Sequence, residues 1–157
     1  MLAHHRRPVC LSMVSTDLPI WSTLETAATL YQKDRDRFHI LLTEPAIPDW
    51  ESPSQEVEVH KPRLLWLEIS PYRVIMTMQT SGKLSYRHLW ETGVYGISRY
   101  WLNSDSSSIN GSLRLRNYTR NLILEGRPLP EHLQVEYELW SEKLQLGRYI
   151  LNLDIHH

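Results

Sequence analysis

The chain has 157 residues, with 17 basic and 18 acidic side chains and a formal net charge of -1. That length suits one domain able to bury a sizeable core without metals or disulfides. A composition of 41% hydrophobic and 22% charged residues argues against disorder along most of it, and the balanced charge excludes a global basic field of the kind that dominates binding to nucleic acid or anionic membranes.

Residues 1–16 carry His4, His5, Arg6, Arg7 and Pro8 without a periodic apolar pattern, so they are expected to form a flexible N-terminus ahead of a single domain over 17–157. Cys10 is the single cysteine, which rules out an internal disulfide and fits a reducing, cytoplasmic compartment. The apolar stretch 9–14 is too short and too interrupted for a signal-peptide core, and no run approaches the ~20 residues of a membrane helix.

Asp17 with Pro19, or Ser22 with Glu25, has the form of a helix start. Ile20, Leu24, Ala27, Ala28, Tyr31 and Phe38 then recur near helical spacing, which predicts the main helix. Over 45–62 prolines and acidic side chains accumulate around Ile47 and Trp50, which reads as a long acidic loop, either a lid or a disordered segment.

From residue 63 the pattern changes to strands. Segments 64–69, 72–79 and 83–90 are the first three, the last with Leu84, Tyr86, His88 and Trp90 on one face. Segment 91–102 contains Gly93 and Gly96 and suits a turn followed by a short strand or helix, and 103–111 is a Ser-rich loop. Three long strands close the chain at 113–124, 133–140 and 144–155, with a tight turn at Ser141 and Glu142. In the last of them the apolar phase slips at Gly147, the mark of a β-bulge that curls the sheet. The fold class expected is therefore α+β: one main N-terminal helix packed on a curled antiparallel sheet, a meander or partial barrel.

The candidate site lies on the polar face of that meander. Arg114, Arg116, Tyr118 and Arg120 alternate on one strand and Gln134, Glu136 and Glu138 on the next. Exposed to water, such a face is an ordinary cross-strand charge ladder. Covered by the acidic 45–62 loop, and with Arg73, Arg87 and Arg148 contributing from other strands, it holds guanidinium forks suited to a carboxylate or phosphate beside glutamates whose acidity burial can shift. The six Trp and eight Tyr against one Phe also suit a partner surface, since their rings serve well where one end is dry and the other wet.

Leu124, Glu125, Gly126, Arg127, Pro128 and Leu129, followed by Glu136, resemble the strand, Gly-basic-Pro-Leu turn and Glu-bearing strand of chorismate lyases. The resemblance spans 112–140 and implies a cofactor-free lyase with an Arg and a Glu on an antiparallel sheet; here Pro130, Glu131 and His132 lengthen the turn. The alternative function is accordingly a cofactor-free lyase or isomerase acting on a small carboxylate, in which Arg114 or Arg116 binds the anion and Glu136 or Glu138 is the acid or base. A further alternative takes residues 114–120, basic with Tyr118 and Asn117 interleaved, as a platform for single-stranded nucleic acid, which the neighbouring glutamates disfavour.

Asp154 and His156 supply two metal-type ligands without a third at recognisable spacing, so no metal is expected. Cys10 lacks a neighbouring base, and there is no phosphate-binding Gly-rich loop or Gly-x-Ser-x-Gly elbow. The function expected is that of a non-catalytic accessory or binding protein, without a cofactor, recognising a protein partner or a small anionic ligand through Arg114, Arg116, Tyr118, Arg120, Glu136 and Glu138.

Overall fold

A computed structural model describes residues 4–17, 21–44, 63–80, 83–103 and 110–157. The regular structure among them is entirely β: strands β1 (His4–Ser15), β2 (Trp21–Gln32), β3 (Phe38–Glu44), β4 (Arg63–Ile69), β5 (Arg73–Thr80), β6 (Lys83–Glu91), β7 (Tyr95–Asn103), β8 (Asn110–Glu125), β9 (His132–Ser141) and β10 (Leu144–Ile155). Each pairs antiparallel with the next, and β1 pairs with β10 from Val9↔Ile155 to Ser15↔Tyr149, which closes the barrel.

The α+β expectation is thereby corrected, because no helix occurs among the described residues and the segment read as the main helix forms β2 and the start of β3. In β2 the buried members are Ala28 and Leu30, with Leu24 partly buried between them and the rim. Polar Thr26 and Gln32 share that two-residue phase, so the alternation was masked while Leu24, Ala27, Ala28 and Tyr31 mimicked a helical stripe. Thr23, Thr26 and Thr29 are β-branched, and pairing with β1 and β3 along the strand supplies what helix propensity does not. Residues 4–15, expected to be loose, are the strand that joins β2 to β10. The acidic loop at 45–62 lies outside the described residues.

The later strands follow the sequence pattern closely, and β10 changes register between Gln145 and Gly147 as the phase slip implied. A second shift falls in β8 between Thr119 and Asn121, at Arg120. The curl becomes a full closure, which leaves no open sheet edge.

Alternation along each strand sends one set of side chains inward. Toward the rim that carries the 33–37, 70–72, 92–94 and 126–131 turns, the interior is fully buried and apolar, with Leu30, Ile40, Leu67, Val74, Leu133 and Leu153 almost without exposure. Toward the opposite rim, where β1, β3, β5, β7 and β9 end, the inward side chains become aromatic and polar: Tyr86, His88, Tyr100, Asn117 and Tyr149. Outward positions carry the arginines and glutamates, an arrangement opposite to that of a barrel in lipid, whose outer surface is an apolar band. Among the described residues no helix is long and apolar enough to cross a membrane.

Candidate functional site

The glutamate side of the expected site is occupied by the protein's own arginines. Glu138 is only 6% exposed although it lies on the outside of the barrel. Arg120 Nη1 donates to its Oε2 at 2.6 Å, Arg148 Nη2 reaches the same oxygen at 3.5 Å, and Trp140 Nε1 donates to Oε1 at 3.1 Å. This triad ties β8, β9 and β10 together. The bulge at Arg120 shifts the register there, so that Glu136 faces Asn121 instead of an arginine, and it makes no ion pair among the described residues.

Arg114 and Arg116 stand apart from that triad. Arg116 donates to the backbone carbonyl of Glu142 and lies over the Tyr95 ring at 5.1 Å. Tyr95 in turn packs against Tyr118, with ring centres 5.1 Å apart. Arg114 lies directly opposite Arg99 of β7, and Arg99 lies directly opposite Arg87 of β6. Three exposed arginines therefore form one row across three neighbouring strands. No carboxylate among the described residues is within ion-pair distance of Arg87, Arg99, Arg114 or Arg116. Arg99 is held by Ser112 Oγ at 3.2 and 3.3 Å and lies 5.2 Å from the centre of the Trp101 ring.

Like charges directly opposite one another on a sheet are destabilising, by a fraction of a kcal/mol up to about 1 kcal/mol per pair. Two such pairs side by side make a concentrated positive stripe on a chain of net charge -1. Arg87 was expected only as a contributor from another strand, and Arg99, which joins it to Arg114, carried no expectation. Their one-residue alternation with inward His88 and with inward Ser98 and Tyr100 was the available signal, and it lacked a register.

Inside the barrel a second polar group was also missed. Asn117 Nδ2 donates to Ser98 Oγ at 2.8 Å, Ser98 Oγ is 2.7 Å from His88 Nδ1, and the Tyr100 hydroxyl is 3.5 Å from His88 Nε2. His88 stacks on Trp90 with ring centres 4.9 Å apart, and Trp90 packs on Tyr137 at 4.8 Å. Burial pushes the His88 pKa down to about 3. A serine against a histidine suggests a nucleophile and its base, but a base that weak extracts little from a hydroxyl at neutral pH. Among the described residues no carboxylate partners the ring, and Ser98 is wholly buried. The neighbouring Trp90 Nε1, Asn117 Oδ1 and Thr119 Oγ1 are buried without a hydrogen-bond partner.

A third feature is a cleft of about 320 Å³ outside β3 to β5, lined by Arg37, His39, Glu68, Tyr72, Arg73 and Glu91 among others. Its charges are matched, and Asp34 already accepts from Arg37 at 2.6 Å. The described residues hold no group of three His, Cys, Asp or Glu side chains able to bind a metal, and Asp154 is engaged by His132 at 2.7 Å.

Fold and surface thus define a closed ten-stranded antiparallel barrel, apolar within and bearing an arginine row on its outer wall. A solved structure with the same architecture is the ywiB protein from Bacillus subtilis, with a TM-score of 0.62 and 13% identity over 97% of this chain and 94% of that one. At that identity the likeness establishes a shared fold and carries no residue across. No family model matches the sequence, and none of the curated proteins does.

Proposed function

We propose that this protein is a non-catalytic binding barrel that takes an anionic partner on the outer wall of β6 to β8. The observation that carries this reading is the row Arg87, Arg99 and Arg114, in register and, among the described residues, without a carboxylate in ion-pair distance. A row of like charges costs stability in the free protein, and an anion laid across it removes that cost while gaining charge-assisted, bidentate hydrogen bonds. Glu138 does not oppose such a partner, because its charge is matched by Arg120 and Arg148. The depressed basicity of His88 and the burial of Ser98 argue against a reaction at the one Ser-His contact described.

Retention on immobilised heparin, eluted by a salt gradient, tests the reading. The Arg99→Ala/Arg114→Ala protein should elute at clearly lower salt than the wild type, whereas Arg73→Ala, at the start of β5 opposite Glu91 and four residues along from the position facing Arg87, should elute with the wild type. A wild type that flows through, or a double variant that elutes unchanged, contradicts the assignment.

A further inference from the structure

The outer wall of β6 to β8 carries rings as well as charge, and the rings narrow the class of anion. Tyr95 is 57% exposed and packs against Tyr118, and Trp101 lies one outward position from Arg99 on the same strand. Arg99 lies over Trp101 and Arg116 over Tyr95, so two guanidinium planes are held on aromatic rings while no carboxylate of the described residues lies within ion-pair distance of them. We infer that the partner is single-stranded nucleic acid, its phosphates on the arginines and its bases stacked on Tyr95, Trp101 and the ring-backed guanidinium planes. The inference rests on the anionic-partner reading and adds the chemical class.

The aromatic rings beside the arginines favour this partner over an acidic protein or an inorganic polyanion. Neighbouring strands are about 4.8 Å apart, so the row is a line of positive charge across three consecutive strands along which a phosphate chain can lie. Flat π-faces beside cations accept bases of any sequence, which neither a carboxylate-rich peptide nor polyphosphate exploits. A duplex keeps its bases stacked and has nothing to place on the rings. The glutamates that counted against this partner in the sequence are accounted for: Glu138 is neutralised, and Glu136 lies beyond the bulge at Arg120, away from the row. Glu142, at the turn between β9 and β10, presents its backbone carbonyl to Arg116.

Fluorescence anisotropy of a labelled single-stranded oligouridylate, titrated at several salt concentrations, tests the inference. Each phosphate neutralised on a single strand contributes roughly -0.7 to the slope of log K against log salt, so Arg87, Arg99, Arg114 and Arg116 together should give about -3. Replacing Arg99 or Arg114 by Ala should weaken binding and make the slope shallower by roughly 0.7. Tyr95→Leu and Trp101→Leu should weaken binding by roughly tenfold each with the slope unchanged. Circular dichroism of each variant confirms that the barrel is intact.

Retention on heparin with no RNA binding, equal affinity for a duplex of the same length, or full affinity in folded Tyr95→Leu and Trp101→Leu proteins would overturn the nucleic-acid inference while leaving the arginine site standing. Binding of RNA with full affinity by the Arg99→Ala/Arg114→Ala protein overturns the site itself. Failure of the wild type on both heparin and RNA overturns both readings.

Discussion

In the unfolded chain His88 takes up a proton near pH 6.5, and in the barrel burial delays this until about pH 3. Between those values the unfolded state binds more protons than the native one, so falling pH favours unfolding. The stability that neutral His88 contributes is complete above pH 6.5 and is lost progressively toward pH 3. His88→Gln, which keeps a polar side chain of similar length but cannot titrate, should be less stable than wild type at pH 7 through loss of the Trp90 stack. It should also lose less stability between pH 6.5 and 4. Urea midpoints measured over that range check this, and parallel slopes for the two proteins would show that His88 does not set the acid response.

Glu138 makes a complementary case at the same scale. Removing it as Glu138→Ala leaves Arg120 and Arg148 unmatched and Trp140 Nε1 without its acceptor. Because both arginines are partly solvated, the expected cost is modest for a buried ion pair, about 1–3 kcal/mol in urea unfolding. Retention on heparin should be kept or increased, since the substitution adds net positive charge beside the row. A loss of retention in the folded variant would assign the glutamate a direct part in binding. From the sequence, Arg120 and Glu138 were recognisable as alternating members of one polar face. That the pair would close on itself, leaving Arg114 and Arg116 available, depended on the bulge at Arg120 and on Arg148 arriving from β10.

Among the strands, β7 depends most sharply on one residue. A Cβ on Gly96 would stand 2.1 Å from the backbone oxygen of Leu89 and 2.9 Å from Asn117 Oδ1. The first contact is with backbone, so relief requires β6 and β7 to part at the place where Ser98, His88 and Asn117 meet. Gly96→Ala is expected to cost about 1–3 kcal/mol, as other forced overpacking does. Thermal unfolding should register this as a clear drop in midpoint; an unchanged midpoint would show that the strands separate without strain. The same glycine explains why 91–102 was ambiguous in sequence: Gly93 and Gly96 weaken any local preference, and the strand is set by its neighbours. In β2 the local signal pointed to the wrong element, because Thr26 and Gln32 occupy inward positions and so conceal the strand period. The final two strands were legible because Leu133, Val135, Tyr137 and Leu139, and then Leu151, Leu153 and Ile155, alternate without interruption.

Closure is a property of the whole chain that no segment announces. The pairing of β1 with β10 brings the two ends of the sequence together, and it converts an expected loose terminus into a wall strand. Deleting residues 1–15 should therefore expose two sheet edges and yield aggregated or unfolded protein, whereas a loose arm would be dispensable; gel filtration with circular dichroism distinguishes these outcomes. Register around the barrel also creates the arginine row, since Arg87, Arg99 and Arg114 are scattered in sequence and meet only when β6, β7 and β8 are aligned. The arginine wall, the polar interior and the cleft at Arg37 and Arg73 are three places among the described residues where a ligand can bind, and amide NMR separates them directly. On titration with inorganic polyphosphate, chemical-shift changes should concentrate at Arg87, Arg99, Arg114 and Arg116 and their strand neighbours. Changes concentrated instead at inward-facing Tyr86, His88, Tyr100 and Tyr149, or at the Arg37 and Arg73 cleft, would contradict binding on the arginine wall.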